Sequence, residues 1–307
     1  MQGALPPVMY PFFEAVKKFK DTEIWAASRA IIEIIYTKVS SVCSTTQDLV
    51  PLTSFFNQLE PNFTPRVYTT NYDDFIGQAT GNRYFTGFTP VASGLNLFDA
   101  KSFFQHWNEP CLFHAHGSIH MGFPRGDSNL QLGDLAWYED KNEALKHAFI
   151  TASGVPRMDG TSFERTSIIT GLEKLGRLQQ NPYAYYYSEF SRDAMEADVI
   201  FVIGSGLADL HLNKWIKEVR LAKPETPLVF VGYWSEDDEF DSSSDLQISL
   251  LHDLRVEHYQ RHSGITVLNG WTVYEKNHAA VWRHGFQAFL HESHRLNDLL
   301  RLIGSTV

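Results

Sequence analysis

Apolar and polar positions divide the chain into a helical beginning, a middle of short buried strands, and a return to helix. Phe12, Phe13, Val16 and Phe19 recur near a 3.6-residue period, Ile24, Trp25, Ile31, Ile32, Ile34 and Ile35 crowd a second segment, and Leu49, Leu52, Phe55, Phe56 and Leu59 form a third. Helices are therefore expected from residue 10 to about 59, with Asp21-Thr22 and Ser44-Thr45-Thr46-Gln47-Asp48 supplying N-cap side chains between them. After the turn-prone Pro61-Asn62-Phe63-Thr64-Pro65, the β-branched run 67–71 predicts a buried strand that releases Asn71, Tyr72, Asp73 and Asp74 at its carboxyl end. Runs of the same kind follow at 111–119, ending in His116-Gly117-Ser118, and at 199–203, ending in Gly204-Ser205-Gly206. A helix at about 209–221 and a strand at 228–231 then give the β-helix-β spacing that a parallel crossover requires.

The remaining stretches are less regular. Residues 77–108 and 121–165 are rich in glycine with little periodicity, which predicts long loops acting as lids over the strand ends. Residues 166–195 read as helix interrupted at Asn181-Pro182, since proline cannot continue the hydrogen-bond ladder. The acidic, serine-rich 235–245 reads as a solvated loop. A helix around 246–259, a strand at 265–268 and a long helix at about 277–303 are expected to close the chain. With no internal repeat and no clean linker, the pattern predicts one α/β domain over 1–307: a helical lead-in at 1–60, a core with lid loops at 61–270 and a C-terminal helix at 271–307.

Composition narrows the function classes. A net charge of −10 argues against a broad electrostatic footprint, so no direct nucleic-acid binding is expected. No apolar run approaches the roughly 18 residues of a membrane span, and the start lacks the basic and apolar regions of a signal peptide, so a cytoplasmic location away from membranes is expected. Only Cys43 and Cys111 are present, too few for a disulfide framework or a four-cysteine zinc site.

Three groups of residues carry candidate chemistry. His114 and His116 would face the same way if their strand persisted, but a pair lacks the third and fourth ligand of a metal site. A histidine beside Gly117 at a strand end suits a general base, because imidazole titrates near neutrality, although spacing alone does not select His116 among 13 histidines. Gly204-Ser205-Gly206 lies where main-chain N–H groups meet phosphate, with a tight turn as the plainer reading, and Asp209 is either a ribose ligand or a helix N-cap. Tyr183, Tyr185, Tyr186 and Tyr187 read as helix packing rather than a stacking platform.

Taken together and in this order, Thr69-Thr70-Asn71-Tyr72-Asp73, His116-Gly117-Ser118 and the segment from Ala197-Asp198 through Gly204-Ser205-Gly206-Leu207-Ala208-Asp209 to Asn213 resemble the sirtuin-like NAD-hydrolase domains of bacterial anti-phage defence proteins. The resemblance covers about 67–231 and implies a Rossmann-like parallel sheet of about six strands flanked by helices, with helical additions at both ends. It implies hydrolysis of NAD, as substrate, to nicotinamide and ADP-ribose, as an abortive-infection effector. Asn71 would hold the nicotinamide ribose and the attacking water, Asp73 would support the nicotinamide end, and His116 would be the general base. Thr70 and Gly117 would line the pocket beside them, and Gly204, Ser205 and Asp209 the phosphate and ribose path. Two departures qualify the match. Two cysteines cannot build the zinc ribbon of sirtuin deacetylases, so deacetylation is disfavoured and no metal is expected. No Gly-Ala-Gly-type loop precedes the Thr-Thr-Asn segment either. The chain is then expected either to begin inside a longer protein or to have lost its dinucleotide cradle. The second case would make it a non-catalytic nucleotide-binding or scaffold module whose pocket a partner completes. An unrelated α/β enzyme with a site elsewhere is the third expectation. The acidic surface and the amphipathic 282–300 suit a homo-oligomer or a defence-system partner protein.

Overall fold

The computed structural model describes residues 21–45, 47–92, 94–106, 108–124, 134–152, 163–170, 177–178, 180–207, 209–233, 254–256, 265–292 and 296–304. The expected first helical segment at 10–19, the loop at 235–245 and most of the expected helix at 246–259 lie outside them. Two compact units divide the chain: the first takes Met1–Gln47, Tyr68–Gly77 and Tyr84–Ala184, the second Asp48–Val67, Gln78–Arg83 and Tyr185–Val307.

In chain order, helices α1 (Asp21–Ser44) and α2 (Val50–Leu59) precede strand β1 (Arg66–Thr69) and the short α3 (Phe75–Ala79). A hairpin of β2 (Phe88–Ala92) and β3 (Leu95–Phe98), helix α4 (Ala100–Gln105) and strand β4 (Cys111–His114) follow. Then come β5 (Met121–Gly122), β6 (Ala136–Tyr138), α5 (Lys141–Lys146), β7 (Phe149–Ala152) and β8 (Phe163–Thr166). Helix α6 (Tyr183–Glu196), β9 (Ile200–Ile203), α7 (Leu210–Ala222) and β10 (Leu228–Val231) make the crossover. The chain continues through β11 (Ile265–Leu268), β12 (Trp271–Tyr274), a 3-10 turn (Glu275–Asn277), β13 (Ala279–Trp282), α8 (Phe286–Glu292) and α9 (Leu296–Leu302).

The first unit holds β4 with the Tyr68–Thr69 end of β1, a four-stranded sheet in the order β2-β3-β6-β5, and the antiparallel pair β7–β8. Its core is built on α1: Ile32, Tyr36 and Cys43 fall on one helical face and pack with Ile119, Ala136, Tyr138, Ala144, Ala148 and Ile168. The Tyr36 hydroxyl reaches the Met121 and Ser118 carbonyls and the Ser167 hydroxyl, so α1 fixes the chain on leaving β4. Burial pushes this phenol's pKa up, and it stays a neutral donor.

The second unit contains a five-stranded sheet in the order β11-β12-β13-β10-β9. β9, β10 and β13 run parallel, whereas β12 is antiparallel to β13 and β11 to β12. Alternate residues Ile200/Val202, Leu228/Phe230 and Ala279/Val281 join one core with Ile216 and Val219 of α7. On β10 and β13 the intervening residues are buried as well, as central strands covered on both faces require. The expected crossover is present as β9–α7–β10. Asn269 and Gly270, at φ 50° and 86°, turn β11 into β12, and an Asn-Gly pair adopts such left-handed positions readily.

Several expectations are corrected. Residues 277–303 are not one helix, and the proposed C-terminal helix at 271–307 contains β12 and β13. Ala279-Ala280-Val281-Trp282 is buried on every residue, which one face of a helix cannot achieve but a central strand can. The described residues of 77–108 are not an irregular lid: they include the end of α3, the β2–β3 hairpin and α4, and the hairpin and α4 are held together and against β4 by Phe88–Phe98, Phe98–Phe103 and Phe103–Phe113 ring contacts of 5.8, 5.5 and 5.2 Å. The described parts of 121–165 likewise form β5–β8 and α5. Among the described residues of 166–195, 167–170 are not helical and helix α6 starts at Tyr183, directly after Asn181-Pro182, while 254–256, from the expected helix at 246–259, are not helical. The large sheet is mixed rather than parallel throughout. No described helix is long and apolar enough to cross a membrane.

Arg220, in the last turn of α7 and 2% exposed, donates to the main-chain carbonyls of Leu254, Pro224, Thr226, Arg255 and Asn277. Burial lowers its pKa to about 10, leaving it charged near neutrality at the negative end of the helix dipole. Replacing it strands buried carbonyls. Arg220→Leu is expected to lower stability by about 3 kcal/mol or more, read as a lower urea midpoint at unchanged slope, and Arg220→Lys to recover only part.

Candidate active site

In the first unit, β1 and β4 bring their carboxyl ends together. Pairing continues past β4 through a 2.8 Å hydrogen bond from Ala115 N to Thr69 O. β4 stops at His114 rather than running to 119, because the chain turns there: Gly117 N donates to His114 O at 2.9 Å. His116 therefore sits on a turn, half-buried, and its side chain is not in strand alternation with His114. Gly117 has φ 96°, and a Cβ there would lie 2.6 Å from the Tyr183 hydroxyl and 3.0 Å from Ile168 Cα. Only glycine allows both the conformation and the close approach. His116 O accepts from Ile169 N at 2.8 Å, fixing the turn on its other side.

Across from this turn, Thr70 and Asn71 follow β1. Asn71 N donates to Thr69 Oγ1 at 3.1 Å, and Asn71 itself is exposed. Tyr72 is tied down by Ile119 N to Tyr72 O at 3.0 Å and by its own hydroxyl to Ile169 O at 2.8 Å. Asp73 accepts from Phe75 N at 3.3 Å, and burial, with the adjacent Asp74 charge, pushes its carboxyl above the usual range. The Asn71 and His116 segments are thus one constellation, with Thr70, Asp73 and Gly117 in the same two loops.

Sequence reasoning missed what supports this constellation. Asp74 Oδ2 receives Lys141 Nζ at 2.8 Å and His120 Nε2 at 3.1 Å, while His120 Nδ1 lies 2.8 Å from Tyr138 O. The His120 ring stacks on Trp137 at 4.8 Å and 5°. The doublet Asp73-Asp74 was visible, but no local pattern links Asp74 to a histidine 46 residues away. His114 is 2% exposed, and its Nδ1 lies 3.4 Å from Asn71 O. Burial holds its pKa down to about 4, so it stays neutral near pH 7. Burial also raises the Cys43 thiol to about 11, making it a poor nucleophile. Among the described residues no group of three or more His, Cys, Asp or Glu could hold a metal ion.

In the second unit, Gly204 (φ 63°) follows β9, and its N–H donates to Val231 O at 2.8 Å. Nothing lies within 4 Å of where a Cβ would stand at Gly204 or Gly206, so this loop presents open backbone. Ser205 Oγ accepts from Leu207 N at 3.1 Å. Asp209 is the N-cap of α7, accepting from His211 N and Leu212 N at 3.1 and 3.3 Å. Tyr187 approaches its other oxygen at 3.5 Å, and burial together with the Asp209 charge pushes that phenol's pKa up.

Two outcomes follow. Gly117→Ala is expected to cost about 2–4 kcal/mol, from strain and overpacking together, measured by urea unfolding. His114 binds a proton near 6.5 when unfolded but only near 4 when folded, so the folded state binds fewer protons in that window and stability falls as pH drops through it. The loss reaches about 2 kcal/mol at about pH 5. His114→Asn should remove that increment, so the parent-minus-variant stability should shift by this amount between neutral and acid conditions.

No curated protein matches the chain. A protein-family model described as a SIR2-like domain matches residues 65–259, from just before β1 to beyond β10. SIR2-like domains use NAD. The match spans more than half of the chain, which belongs to the SIR2-like domain family.

Proposed function

We propose that the protein is an NAD hydrolase that cleaves the nicotinamide N-glycosidic bond to give nicotinamide and ADP-ribose, and that it serves as an abortive-infection effector in anti-phage defence. The observation that supports the reading is that the segments carrying Asn71 and His116, which leave β1 and β4, are hydrogen-bonded to each other through Ala115 N to Thr69 O and Ile119 N to Tyr72 O, in a chain of the SIR2-like family. Cleaving that bond develops positive charge on the ribose, so the reaction needs an oriented water, a base and walls that exclude bulk solvent more than it needs a strong nucleophile. Asn71 supplies an exposed carboxamide to orient the ribose and the water. His116 is the base, taking a proton from that water or a ribose hydroxyl. Asp73 supports the nicotinamide end, with Thr70 and Gly117 lining the same loops. Gly204, Ser205 and Asp209 are assigned to the phosphate and ribose path, within a Rossmann-like core.

A second reading is a non-catalytic nucleotide-binding or scaffold module whose pocket a partner completes, and one observation favours it over unaided turnover: Asp209 fills the N-terminus of α7 with its own carboxylate, which lowers that helix end's own attraction for phosphate. Nicotinamide release separates the two. The hydrolase predicts turnover by the parent and losses of about 100-fold or more in Asn71→Ala and His116→Ala with unchanged folding. Thermal stabilisation by NAD with no nicotinamide released would establish the binding module instead.

A further inference from the structure

Among the described residues around the proposed catalytic pair, three polar groups stand out: the buried His114, the Asp74–His120–Lys141 cluster, half-buried at Asp74 and Lys141, and the buried Cys43. Cys43 is a protonated thiol within the α1 core. The Asp74 cluster is internally satisfied, with both His120 nitrogens and the Lys141 ammonium engaged. His114 is different.

We propose that His114 is a positioning residue for the cleavage reaction: it holds the main-chain carbonyl of Asn71 through Nδ1–H and so fixes where Asn71 presents its carboxamide. The chemistry rests on the hydrolase reading above. β4 is otherwise Cys111-Leu112-Phe113, all buried, and an aliphatic residue at 114 would bury as well. A neutral imidazole that donates from Nδ1 to Asn71 O, 3.4 Å away, leaves Nε2 as a lone-pair acceptor. That Nε2 is buried and has no hydrogen-bond partner among the described residues. An unmet buried acceptor lowers stability, so the histidine is not there to stabilise the strand. What it supplies is one directed donor, aimed at the residue proposed to orient ribose and water. The ring is kept in place by Trp137, 5.6 Å away, and Trp137 is itself stacked on His120, which grips Asp74. The loop from Asn71 to Asp74 is therefore anchored at its first residue by His114, and at its last by His120 and Lys141.

His114→Leu removes the donor, whereas His114→Asn keeps a neutral N–H near the place of Nδ1 and dispenses with Nε2. With NAD as substrate, the Leu variant is expected to lose about 30-fold or more in kcat with KM within about 3-fold, and the Asn variant to stay within about 5-fold of the parent. Urea unfolding at neutral pH should show the Leu variant no less stable than the parent, since an unmet acceptor has been replaced by an apolar group. Full kcat in the Leu variant, equal losses in both, or a loss that tracks destabilisation would overturn the proposal. If the parent releases no nicotinamide, the hydrolase reading fails, and amide deuterium exchange over 71–74 decides the positioning by itself. Faster exchange confined to that segment and to the Leu variant upholds it, and equal rates in all three proteins overturn it.

Discussion

The hydrogen bond from Ala115 N to Thr69 O continues the β1–β4 pairing just beyond the end of β4, and the candidate site in the first unit depends on that continuation. A pairing that ended earlier would let the two strand ends separate, and Asn71 and His116 would lie on independent loops. Because it persists, the polar residues each strand releases are held against each other. Gly117 then lets the chain turn away sharply, packed so closely on Tyr183 and Ile168 that no side chain fits. Tyr36 of α1 secures the following residues, so the site's geometry is maintained by the same helix that forms the unit's core.

Environment separates two histidines that the sequence presents as a pair. His114 is the last strand residue and is buried, which holds it neutral, while His116 stands on the turn and is half-buried. The second is the more accessible of the two, and the first lies with its Nδ1 3.4 Å from the Asn71 carbonyl. Around them, Asp74, His120, Lys141 and Trp137 form a rigid backing for the Asn71 loop.

Much of the second unit's sheet was legible in the chain. Leu228–Val231 and Ile265–Leu268 are short apolar runs bounded by turn residues, and their limits agree with the structure. The crossover helix was legible through its Asp209 cap and its amphipathic spacing. β13 was hidden because Ala279–Trp282 runs straight into residues with helical periodicity, and only the company of β10 and β12 makes it a strand. The hairpin signal Asn269-Gly270 was present and pointed to β12, but the expected terminal helix obscured it. At the site, the strand-end positions of Asn71 and His116 could be read from local pattern. The ties from His114 to Asn71 and from Asp74 to His120 span 43 and 46 residues, and contacts of that range depend on strand pairing that no local pattern encodes.

The central claim is that the paired ends of β1 and β4 form a site that hydrolyses NAD. Its most direct test is the product balance when the purified chain is incubated with NAD and the mixture is separated chromatographically. The account predicts nicotinamide and ADP-ribose appearing in equal amounts as NAD disappears. NAD remaining intact at enzyme concentrations comparable to its own would contradict it.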